Sequence, residues 1–159
     1  MDNTKKMKRI GFIVIFILLI LVCLLLLFPR KEIISRIYPV KGIDVSHYQE
    51  VIDWKSIAEN DISFVFVKAT EGISLKDKLF TRNWERIKQE GLKRGAYHFF
   101  RPTISAERQA AHFSRSVDLE LGDFPPVLDV EVLDGVSKKE LLIGVHAWLV
   151  HIEMEYGVK

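Results

Sequence analysis

Pro126-Val127-Leu128-Asp129-Val130-Glu131-Val132 sets two carboxylates in an apolar, largely β-branched run. Such a run reads as a buried strand. Side chains alternate along a strand, so Asp129 and Glu131 point to the same side, roughly 7 Å apart at the backbone. Burying an unpaired charge is costly. The pair therefore belongs at a strand's end, facing a wet cleft or good partners. That placement suits acid–base work on a polar substrate.

Three earlier stretches have a similar form. Gly42-Ile43-Asp44-Val45-Ser46, Phe64-Val65-Phe66-Val67-Lys68-Ala69 and Gly95-Ala96-Tyr97-His98-Phe99-Phe100 are short apolar runs, each followed by an amphipathic segment. Asp53 can cap a helix from Trp54 to about Asn60. Phe80, Trp84 and Ile87 share one face of a second helix that Gly91 stops. Ser105 can cap a third, with Ala106, Ala110, Phe113 and Val117 as its stripe. Ser137 with Glu140 forms a capping box for a fourth, which buries Leu141, Val145, Trp148 and Ile152 and ends at Gly157.

Four consecutive strand–helix units predict an α/β fold with parallel strands and right-handed crossovers. A doubly wound sheet and part of an α/β barrel both satisfy this pattern. Either architecture puts functional residues at the carboxyl ends of the strands. Asp44, Lys68 to Glu71, His98 to Arg101, and Asp129 with Glu131 all fall there. Three acids meeting in one cleft raise one another's pKa and can divide acid and base roles. Asp44 by itself can simply cap the next turn. Tyr97 and His98 are core residues by default, although the Tyr97 hydroxyl can reach a sugar or a carboxylate. His47, His112, His146 and His151 show no metal-ligand spacing, so neither a metal nor a cofactor is expected.

The amino-terminal region has a different character. Residues 10–28 are an unbroken apolar run of 19 residues, roughly 28 Å long as a helix and close to the hydrocarbon thickness of a bilayer. No small-residue cleavage site follows, so the run reads as an uncleaved signal anchor. Lys5, Lys6, Lys8 and Arg9 precede it, which favours a cytoplasmic N-terminus. The expected organisation is 1–9 cytoplasmic, 10–28 transmembrane, 29–40 linker and 41–159 an extracellular domain, single-pass in the cell membrane.

The formal charge of +2 is concentrated near that run. Seven of the 23 basic residues and two of the 21 acids precede residue 40, leaving 16 basic and 19 acidic residues beyond. No basic face for nucleic acid is expected on the outer domain. The single cysteine, Cys23, lies in the apolar run, so that domain has no disulfides and no thiol chemistry.

The motifs in series resemble the glycoside hydrolase family 25 muramidases, the barrel-type lysozymes. The matching stretches are Gly42-Ile43-Asp44-Val45-Ser46 with Gln49, Asp53-Trp54, Val67-Lys68-Ala69-Thr70-Glu71-Gly72, Asp77-x-x-Phe80-x-x-Asn83, Gly95-Ala96-Tyr97-His98-Phe99 and Leu128-Asp129-Val130-Glu131. The resemblance implies a peptidoglycan hydrolase that cleaves the β-1,4 bond between N-acetylmuramic acid and N-acetylglucosamine with substrate assistance. Glu131 matches the general acid/base. Asp129 matches the residue that orients the substrate's acetamido group, and Asp44 a supporting cleft acid. Tyr97, His98 and Lys68 are expected to bind substrate, and peptidoglycan glycan strands are the expected partner. The resemblance also implies a TIM-type (β/α) barrel, of which this chain is expected to hold about four βα units, with the later strands missing. A truncated chain of this kind is expected to have weak activity or none. The alternative is a non-catalytic half-barrel that binds glycan or a partner at the membrane.

Overall fold

The computed structural model describes residues 7, 13–23 and 38–158 of the chain. The chain divides into two compact units, Met1–Val40 and Lys41–Lys159. In the first, residues 13–23 are helical. The expected anchor over 10–28 extends past them, and residues 10–12 and 24–28 lie outside the described residues. No helix among the described residues is long and apolar enough to cross a membrane.

The second unit is a five-stranded sheet with helices against it. Its strands are β1 (Gly42–Val45), β2 (Phe64–Glu71), β3 (Leu75–Lys76), β4 (Lys93–Phe99) and β5 (Val127–Asp129). Its helices are α1 (Trp54–Ala58), α2 (Phe80–Gln89), α3 (Ala106–Ser114) and α4 (Lys138–Tyr156). The main path runs β1-β2-β4-β5, all parallel, with β3 antiparallel on β2. The strands thus follow one another across the sheet in chain order. Right-handed crossovers that never reverse direction carry every helix to one face.

Local chemistry sets the helix ends. The Asp53 carboxylate accepts from the Ser56 amide at the start of α1, and the Ser105 hydroxyl accepts from the Arg108 amide at the start of α3. Ser137 and Glu140 form the anticipated capping box on α4, and Gly157 closes that helix in the left-handed region, φ 65°. These caps satisfy amide groups that a helix terminus otherwise leaves open.

The core lies between the sheet and the helices. Val45, Val65, Val67, Ala69 and Ala96 point from the strands toward Trp54, Phe80, Trp84, Ile87, Ala110, Phe113, Trp148 and Ile152. The second sheet face carries Phe64 and Phe66, which form an aromatic trio with Phe124 from the loop before β5, with centroids 5.5–5.9 Å apart. Gly42 and Gly95 leave room for these rings, since a Cβ on either would collide with Phe64 or Phe66.

Three details differ from the sequence reading. The β3 hairpin arm was not anticipated; two residues after a turn at Gly72, φ 56°, carry no alternation pattern. The fourth parallel strand is shorter than expected and stops at Asp129, so Glu131 stands in the following loop. The cause is the neighbouring strand. β4 ends at Phe99, which pairs with Asp129, and the Phe100 amide makes one last bond to the Asp129 carbonyl. Finally, Ser46 is not the end of β1 but the cap of a 3-10 turn, His47–Gln49.

Candidate active site

Asp44 occupies the carboxyl end of β1, Asp129 that of β5, and Glu131 lies two residues beyond. These three acids and Tyr97 line one cleft of about 360 Å³, with Phe66, Val127, Leu128 and Val130 completing the wall. Parallel register explains the convergence. Asp44 pairs with Phe66, Phe66 with Gly95, and Tyr97 with Val127, so these positions face the same side of the sheet.

Charge and burial act on the cleft together. The Asp129 carboxyl is pushed up from the ordinary aspartate value, first by burial and then by the Glu131 carboxylate, with Asp44 adding to the rise and Lys68 opposing it. Tyr97 is also pushed up, chiefly by burial and then by the Asp44, Asp129, Asp77 and Glu131 charges. Its phenol therefore keeps its proton and offers a hydrogen-bond donor beside three acids. A wet pocket with one carboxyl held toward its neutral form, other carboxylates nearby and a fixed donor can perform proton transfer to and from a bound polar ligand.

Lys68 stands on the cleft side of β2, in register with Tyr97. It is buried, and its ammonium donates to Glu71 Oε2 at 2.7 Å while lying 4.7 Å from the centre of the Phe99 ring. It acts on the cleft by charge, and it does not line the wall.

His98 takes the core placement that a strand histidine has by default, not the substrate contact that the resemblance implied. It was expected among the substrate-binding residues, but it follows Tyr97 in the strand and so points the other way. Its ring is sealed in the core. Nδ1 lies 2.7 Å from Thr70 Oγ1, Nε2 lies 3.1 Å from Gln109 Oε1, and the ring stacks on Trp148. Gln109 donates its own amide to the Arg101 and Ile104 carbonyls, so its Oε1 accepts from the His98 Nε2–H, and the Thr70 hydroxyl donates to Nδ1. Burial lowers the His98 pKa to about 4 and keeps the ring neutral.

Two residues that sequence reasoning did not join pair beyond the strand ends, outside the residues that line the cleft. His47 Nδ1 lies 2.6 Å from Asp77 Oδ2, and the His47 amide donates to the same oxygen at 3.0 Å. Asp77 is buried, and its Oδ1 accepts from the Leu79 amide. Thirty residues separate the pair, and no spacing rule joins them. No group of acids, histidines and cysteines among the described residues is arranged to hold a metal ion.

Residues 43–159 match the model of glycosyl hydrolases family 25. Escherichia coli K12 YegX, an uncharacterized protein, is 48% identical over 139 residues, covering 82% of this chain and 51% of that protein. Lysozyme M1 of Streptomyces globisporus is 43% identical over 96 residues, 58% of this chain and 33% of that one. A family 25 glycosyl hydrolase from Bacillus anthracis superposes with a TM-score of 0.71 at 34% identity, covering 74% of this chain and 57% of that structure. The chain spans about half the length of the curated relatives it matches first.

Proposed function

The chain belongs to glycosyl hydrolases family 25, and from that membership we propose that it serves peptidoglycan hydrolysis as a muramidase. One observation carries the reading. Asp44, Asp129 and Glu131, brought from two strand ends and a loop, share one cleft with the Tyr97 phenol. The bond cut is the β-1,4 link between N-acetylmuramic acid and N-acetylglucosamine.

In this reading Glu131 protonates the leaving oxygen and then deprotonates the incoming water. Asp129 orients the acetamido group that attacks the anomeric carbon with retention, and Asp44 balances the charge. Burial and the neighbouring acids favour a proton on Asp129, which suits a carboxyl that hydrogen-bonds a neutral amide before the amide develops charge. Tyr97 binds the sugar, and Lys68 steadies Asp129 electrostatically from below.

The four parallel strands in chain order correspond to consecutive strands of a (β/α) barrel. Residues 10–28 anchor the domain, with the N-terminus inside the cell and the cleft outside, next to the wall it cuts. A second reading keeps the same cleft as a site that holds the glycan without cutting it.

Incubation with purified peptidoglycan tests both. The hydrolase reading expects new reducing ends on N-acetylmuramic acid that Glu131→Gln abolishes. Co-sedimentation with peptidoglycan and no reducing ends from wild type would favour the second reading and refute the first.

A further inference from the structure

The muramidase reading leaves one well-built feature unused. Asp77 is buried and receives three N–H groups: the His47 and Leu79 amides and, at 2.6 Å, the His47 ring. An ionised carboxylate only accepts, so the proton in that contact belongs to His47 Nδ1. In the neutral ring that this contact orients, the lone pair is the one on Nε2. No described residue bonds Nε2, and the side chain is 22% exposed. The Asp77 carboxylate is already held by two backbone amides. The imidazole is not needed to satisfy it, whereas the carboxylate does fix the ring's tautomer and direction, as a second partner does for any oriented histidine.

The pair lies on the carboxyl-end rim of the sheet, where the cleft also opens, although neither His47 nor Tyr48 is among the residues that line it. His47 follows Asp44 by three residues at the carboxyl end of β1, and the 3-10 turn it opens leaves Tyr48 76% exposed with its ring 4.2 Å from the His47 ring. The Asp77 charge is felt at Tyr97 together with those of the cleft acids. An acceptor of fixed direction beside an exposed aromatic face suits a sugar that offers O–H or N–H groups on its edge and C–H groups on its face.

We propose that His47, aimed by Asp77, and Tyr48 form a rim subsite for an N-acetylhexosamine unit of the glycan. His47 Nε2 accepts from a hydroxyl or acetamido N–H, and the Tyr48 ring supports the sugar's apolar face. The inference rests on the muramidase reading and adds substrate contacts outside the three acids.

Steady-state kinetics of the full chain on purified peptidoglycan test it. His47→Ala raises KM about tenfold, ~1.4 kcal/mol, with kcat within about twofold, and Tyr48→Ala raises KM in the same direction. Asp77 is buried and its variants can fail to fold, so the ring is also examined in wild type. Long-range 1H–15N spectra at neutral pH show Nδ1 protonated and Nε2 bare, and chitotetraose moves the Nε2 signal. An unchanged KM in His47→Ala, a fall in kcat at constant KM, or a proton on Nε2 overturns the subsite. A wild type that neither binds nor cleaves peptidoglycan overturns the muramidase reading and the subsite with it. An active wild type with an indifferent His47→Ala removes the subsite alone.

Discussion

Arg101 Nε lies 3.0 Å from Asp134 Oδ2, which ties the end of β4 to the loop that follows Glu131. Asp134 adopts φ 47°, a left-handed backbone that a non-glycine residue takes at some cost. Arg101 also approaches Glu71, at 3.8 Å, and Glu71 holds Lys68. A chain of alternating charge therefore spans β2, β4 and the Glu131 loop.

Arg101→Met removes the link in the middle of that chain. The pair is partly exposed, so the loss of global stability should stay below about 1 kcal/mol. Reducing-end release should fall by roughly fivefold or more, because a loosened loop misplaces Glu131. Thermal melts and peptidoglycan assays on the same preparation check both statements; equal activity in the variant would deny Arg101 this role.

His98 makes folding stability depend on pH. Its folded pKa of about 4 lies below the ordinary 6.5, so the unfolded chain takes up the proton more readily. Stability is complete above about pH 6.5 and is lost as pH falls toward 4, by roughly 3 kcal/mol at most. Melting curves of wild type and His98→Gln between pH 7 and 4 should converge as the pH drops. Parallel curves would show that His98 contributes nothing to the slope.

Gly95 faces the ring of Phe66, its partner on the neighbouring strand. Gly95→Ala should cost about 1–3 kcal/mol through overpacking, and Phe66→Leu in the same chain should recover part of it. Denaturant unfolding of the two single variants and the double gives the coupling energy directly; strict additivity would mean the ring moves aside freely.

Asp129 reports its neighbours. Glu131→Gln removes a like charge, so the Asp129 carboxyl should titrate lower than in wild type. Lys68→Met removes an opposing charge, so it should titrate higher. Carboxyl 13C shifts followed through a pH titration show the direction in each case. Movement in the same direction for both would mean that repacking outweighs charge.

Much of this organisation could be read in the chain because it is local. The Ser137–Glu140 box, the Asp53 cap and the Gly91 and Gly157 stops depend on side chains within a few residues of the backbone they bond. The meeting of Asp44 with Asp129 and Glu131 was legible for another reason: parallel strands place their carboxyl ends on one rim whatever the loops between them do. What escaped reading was set by partners far away in sequence. The end of β5 is decided by where β4 stops, which put Glu131 in a loop. His98 reads as a core residue by default, but its partners Thr70 and Gln109, which satisfy both ring nitrogens, do not show in the chain. Asp77 belongs to a short sequence motif, and only the folded chain shows it gripping His47. The membrane-spanning reading of residues 10–28 stays a matter of composition, since the described helix covers 13–23.

The alternation of β4 has a consequence for sequence drift. Tyr97 and His98 are adjacent codons that look in opposite directions. Adding or deleting one residue upstream in the strand would exchange them, swinging an imidazole into open water and a phenol into the layer where Trp148 is packed. Both halves of the molecule would be spoiled by one genetic event. The same insertion at the exposed Leu121–Gly122 bend, where no strand is in register, leaves every side chain on its own side. Indels accumulated by descendants of this gene should therefore crowd into such bends and spare β4.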